Sequence, residues 1–77
     1  MKLIFENSKH KKRVIATPSN IEEVYKEINK FLNEHNFKCY YIRTWKSNGR
    51  LVFDVGSHTE FFYLEGMTYE EYISSFK

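Results

Sequence analysis

Cysteine, proline and glycine are scarce in this chain, and long apolar runs are missing. The single cysteine, Cys39, excludes an internal disulfide, and without a signal-peptide pattern a cytoplasmic protein is expected. No apolar run approaches the roughly 18–20 residues of a transmembrane helix, so no membrane association is expected. His10, His35 and His58 are scattered. Apart from the neighbours His35 and Cys39, no ligand pair has zinc spacing. No cofactor motif is present, and the expectation is no metal and no cofactor. No repeat, linker or low-complexity tract divides the 77 residues, which read as one domain, 1–77.

Aromatic residues are abundant. At 18% of the chain, they let a small domain bury a large area with few side chains. The net charge of +2 hides an asymmetry. Residues 1–16 carry Lys2, Lys9, Lys11, Lys12 and Arg13 against Glu6. Residues 54–77 carry Asp54, Glu60, Glu65, Glu70 and Glu71 against Lys77. A basic end and an acidic end can attract each other or a partner.

Residues 2–6 and 13–16 read as two strands of a hairpin around a polar turn. Thr17-Pro18-Ser19-Asn20 breaks the second strand and opens a helix. Ser19 with Glu22 fits a capping box, and Asn20 with Glu23 is an alternative. Ile21, Val24, Tyr25, Ile28, Phe31 and Leu32 fall on one stripe of that helix, and Asn36 is placed to stop it. Residues 37–46 are rich in strand formers and run into Ser47-Asn48-Gly49-Arg50, where Asn-Gly signals a two-residue hairpin turn. That turn sets a register: Trp45 faces Val52, Thr44 faces Phe53, Arg43 faces Asp54 and Ile42 faces Val55. A loop over Gly56-Ser57-His58-Thr59 then puts Phe62 opposite Phe53. Thr68 with Glu71 caps a short final helix with Tyr69, Tyr72, Ile73 and Phe76 on one side. The expected fold is α+β: strand–strand–helix–strand–strand–strand–short helix, an antiparallel sheet with the long helix on one face.

Alternation divides the last three strands into two faces. Ile42, Thr44, Leu51, Phe53, Val55, Phe62 and Leu64 share the face assigned to the helix. Cys39, Tyr41, Arg43, Trp45, Val52, Asp54, Phe61 and Tyr63 share the other. Two accounts of the second face stand side by side. The short final helix covers it and makes Arg43–Asp54 a partly buried pair useful for register. Alternatively, two helical turns are too small to cover it, and an aromatic patch with an arginine remains for a protein partner or a second copy of the chain. Tyr41, Arg43, Trp45, Asp54, Phe61 and Tyr63 are the candidate contact residues. Lys9, Lys11, Lys12 and Arg13 form a second candidate, a loop holding nucleic-acid phosphates while sheet aromatics stack bases. Set against it are a near-balanced charge, the nearby acids Asp54 and Glu60, and no ribonucleoprotein-type motif. Ser57, His58 and Glu60 are nucleophile, base and acid types, but groups so close in one turn rarely converge on a substrate atom. Turn chemistry is the expectation there, with no catalytic residues and no enzyme activity.

At YYIRTW and DVGSHTEFF the chain resembles small uncharacterised proteins carried by phages and mobile elements of low-GC Gram-positive bacteria. The resemblance spans roughly the long helix through the fifth strand and brings no catalytic residues. It implies a protein that binds one host protein, components of antiviral defence included, and modulates or inhibits it. Sequestration of a nucleotide signal and DNA binding as an early regulator are the alternatives it implies.

Overall fold

Asn7 organises the first turn. Its carboxamide oxygen accepts the backbone N–H groups of Lys9 and Lys11, and His10 takes a left-handed conformation (φ 62°) to close it. The flanking strands β1 (Lys2–Glu6) and β2 (Lys12–Ala16) pair antiparallel, with a register shift between Leu3 and Ile4. The computed structural model describes residues 1–57 and 59–75.

Helix α1 (Ile21–Glu34) starts at Asn20, the second of the two capping alternatives. Asn20 is extended, so its side chain can swing back to accept the Glu23 N–H at 2.9 Å. The Glu23 carboxylate in turn accepts the N–H of Ser19, one residue before the cap. At the far end Asn36 is left-handed (φ 56°), and the Phe37 N–H returns to the Leu32 carbonyl. Val24, Ile28, Phe31 and Leu32 are the buried stripe.

The strand expected over 37–46 forms only from Arg43: β3 is Arg43–Ser47. β4 (Arg50–Asp54) stops at Asp54 because Gly56, at φ 92°, turns the chain, and the Asp54 carboxylate accepts the Gly56 N–H. Residues 37–42 therefore have no strand to lie against. They descend from the helix layer to the sheet edge as a loop, tied by one bond from Tyr40 N–H to the Val55 carbonyl at 3.0 Å. Ile42 still packs against the core, but it has no ladder partner at Val55. From Arg43 onward the register is the expected one, through Ser47 opposite Arg50. β5 (Phe61–Glu65) pairs with β4, with Phe62 opposite Phe53.

The five strands lie in the order β2-β1-β5-β4-β3, every pair antiparallel. With the two helices this is an α+β domain. The β1–β5 seam joins the two hairpin systems and sets Lys2 opposite Glu65, so the basic and acidic ends of the chain meet within the sheet. Leu3, Phe5, Leu51, Phe53, Val55, Phe62 and Leu64 pack beneath the α1 stripe.

Helix α2 (Tyr69–Ser74) carries the expected Thr68–Glu71 capping box, and it docks on the same face as α1. The Tyr72 ring meets Phe53 edge-on at 6.0 Å, and its hydroxyl reaches Thr44 Oγ1 at 3.2 Å and Tyr25 Oη at 2.7 Å. Ile73, expected on the packed side, is exposed. Phe76, expected on the same side, lies outside the described residues, as does His58 of the β4–β5 loop.

Candidate functional site

Because both helices pack on one side, the opposite face of the sheet is left without a helix over it. Strand alternation places Trp45, Val52, Tyr63, Ile4 and Val14 in one row across all five strands. Within the row Val52 and Ile4 are buried on either side of a half-buried Tyr63. Its two ends are open, with Trp45 38% and Val14 52% exposed. A second row runs Arg43, Asp54, then Phe61, Glu6 and Lys12.

Polar partners on this face are stacked vertically, with a buried acid beneath an exposed partner in two pairs. Arg43 Nη2 meets Asp54 Oδ2 at 2.9 Å, with the arginine side chain 66% exposed and the aspartate 7%. His10 Nδ1 lies 3.5 Å from Glu6 Oε2, at 85% against 10%. Asp54 also holds the Gly56 N–H, and Glu6 accepts the Tyr63 hydroxyl. Arg50 and Glu65, 3.8 Å apart, reverse the order. Cations also cap the rings. Lys12 Nζ and the Arg50 guanidinium each lie 5.2 Å from the Tyr63 ring centre, and Arg43 lies 5.2 Å from that of Tyr41.

Of the candidate contact residues, Arg43, Trp45, Asp54, Phe61 and Tyr63 thus share this face. Tyr41 belongs to the 37–42 loop and joins them through Arg43. Cys39, assigned to the same face, is in that loop as well, exposed, with Sγ 3.6 Å from the Tyr41 carbonyl. The basic residues of the hairpin do not all lie on one side of the sheet. Lys9 and Lys11 are exposed in the turn, Lys12 lies on the open face, and Arg13 points to the helix side, 5.6 Å from the Phe31 ring. Sequence reasoning left the N-terminal strands out of the face. Alternation in Lys2-Leu3-Ile4-Phe5-Glu6 signals the sides, but nothing local says that β1 joins β5.

Burial, then the bond to Glu6, raises the Tyr63 hydroxyl from its ordinary value near 10 to about 12. The fold therefore favours neutral Tyr63. Its contribution to stability is full below pH 10 and is lost as pH climbs towards 12. Titration followed by tyrosinate absorbance should show Tyr63 ionising late. Tyr63→Phe should flatten the loss of stability across that window, leaving the part due to Tyr25, whose hydroxyl burial also pushes up. An unchanged slope would show that the fold does not hold the Tyr63 proton.

Beside the open face, an open groove of about 900 Å³ separates the 37–42 loop from the β4–β5 loop, with Phe37, Tyr40, Tyr41, Val55 and Glu60 among its walls. Ser57 and Thr59 donate hydroxyl protons to Glu60, holding its carboxyl below the ordinary range. This is turn chemistry, and the histidine between them is outside the described residues. Among the described residues, no group of three His, Cys, Asp or Glu side chains is arranged to hold a metal, and no helix is long and apolar enough to cross a membrane. Comparison with known proteins finds no family model, curated relative or solved structure that matches this chain.

Proposed function

We propose that this is a non-enzymatic binding protein that docks a protein partner on the open sheet face. In this reading it acts in a bacterial cytoplasm as a phage-encoded modulator or inhibitor of a host protein, with antiviral defence among its targets. The observation that carries the binding reading is the placement of both helices on one face. That leaves Trp45 and Val14 exposed at the two ends of a five-strand row. An aromatic anchor beside an exposed arginine is the composition of interface hot spots. The Asp54 carboxylate holds that arginine in one direction, which suits a specific contact. The phage context rests on the resemblance at YYIRTW and DVGSHTEFF. Nucleic acid is the weaker occupant, because cations capping Tyr63 and Tyr41 leave those rings poorly placed to stack bases.

The test is a pull-down from a low-GC Gram-positive lysate, followed by affinity measurement on the purified partner. Trp45→Ala should keep the native spectrum and melting temperature and lose about tenfold or more in affinity. Ile73→Ala, exposed on the helix side, should bind normally. Equal weakening by both variants, or capture of nucleic acid alone, defeats the reading.

A further inference from the structure

Building on the open face as the docking surface, we infer that its occupant is an acidic protein segment carrying an apolar side chain at each end. The stacking of charge carries this. Asp54 and Glu6 are spent beneath the surface, on Arg43 and the Gly56 N–H and on the Tyr63 hydroxyl and His10. The cations left on the face are Arg43 and Lys12 on the two edge strands, with Arg50, more enclosed, on β4. Glu65, partly exposed against Arg50, lies towards the Lys2 end. An approaching carboxylate meets Arg43, whose neutralising Asp54 is already desolvated below, and Lys12 and Arg50, both held over the Tyr63 ring. A basic segment would meet them head-on.

The apolar ends set the length. Trp45 stands on β3 and Val14 on β2, the two edges of the sheet. The four steps between these edge strands, at about 4.8 Å each, span about 19 Å. An extended segment of about seven residues, at roughly 3.3 Å per residue, covers that distance. Its first and last side chains would meet Trp45 and Val14, and its acids would lie over Lys12, Arg50 and Arg43. A nucleic-acid backbone satisfies the cations equally well but makes no use of Val14. The apolar ends therefore favour protein over phosphate.

Trp45 is the only tryptophan, so its fluorescence reports the occupant directly. The probes are a tryptophan-free peptide of alternating Glu and Asp with Leu at both ends, the same peptide with Lys inside, the acidic peptide with Gly ends, and a short single-stranded oligonucleotide. Only the Leu-ended acidic peptide should shift the emission saturably at sub-millimolar concentration. The Gly-ended version should bind about tenfold more weakly, and Lys12→Glu with Arg43→Glu should abolish the response. Added salt should weaken it. Equal or tighter binding of the oligonucleotide overturns the inference. So does a response to protein concentration alone, which would put a second copy on the face, or silence to about 1 mM acidic peptide. The docking reading fails separately, when a purified partner binds Trp45→Ala as well as it binds the parent chain.

Discussion

Phe53→Ala should lower stability by about 3–5 kcal/mol, against a total of about 4–12 kcal/mol for a domain of this length. Phe53 is fully buried on β4, the strand between β5 and β3. Its ring meets Tyr25 of α1 edge-on at 5.9 Å and Tyr72 of α2 at 6.0 Å, and its cross-strand neighbours are Thr44 and Phe62. One side chain thus joins both helices to the sheet, and removing it leaves a void that neither helix can fill without losing the Tyr25–Tyr72–Thr44 hydroxyl chain. Urea denaturation checks the magnitude. Hydrogen exchange should show residues 69–74 opening first, since six residues make no stable helix alone. A loss below about 1 kcal/mol, or protection in α2 equal to the parent's, would mean that the two helices are held independently.

Gly56→Ala should cost about 3 kcal/mol, and Gly49→Ala only about 1 kcal/mol. Both glycines have positive φ, 92° and 75°, so both substitutions incur backbone strain. The surroundings separate them. A Cβ at Gly49 would meet nothing within 4 Å, whereas one at Gly56 would stand 2.7 Å from the Tyr40 Cβ and 3.2 Å from the Tyr41 ring. A Cβ cannot swing aside as the end of a long side chain does, so the 37–42 loop would have to retreat. That breaks the bond from Tyr40 N–H to the Val55 carbonyl and loosens Tyr41 from Arg43. Thermal melts of the two variants give the comparison. Similar losses at the two positions would show that the loop yields freely and that Tyr41 is not fixed beside the open face.

Local chemistry was legible wherever a few neighbouring residues decide the outcome. Asn-Gly at 48–49 specifies its hairpin because both residues must adopt positive φ, which they do, and the register from Arg43–Asp54 to Ser47–Arg50 follows by counting. The apolar stripe of α1, the Asn36 stop and the Thr68–Glu71 box are equally local. The choice of Asn20 over Ser19 as cap was not decidable, because both offer an oxygen three residues before a glutamate. The extension of β3 back to Phe37 failed for a different reason. Strand propensity in 37–42 is real, but propensity acts only where a partner strand exists, and Gly56 ends β4 first.

The sequence by itself determined the two faces of the sheet, since side chains alternate with a period of two, and it marked Arg43, Trp45, Asp54, Phe61 and Tyr63 as companions. Tertiary structure alone decided which face stays open. A two-turn amphipathic helix fits either side of a sheet by its own pattern. It went to the helix side because Tyr72 finds there both an apolar edge at Phe53 and hydroxyl partners at Thr44 and Tyr25. Tertiary structure also brought β1 beside β5, a pairing between residues some sixty positions apart that no local spacing encodes. That seam joins the N-terminal hairpin to the other three strands, so that Glu6, Lys12 and Val14 extend the open face.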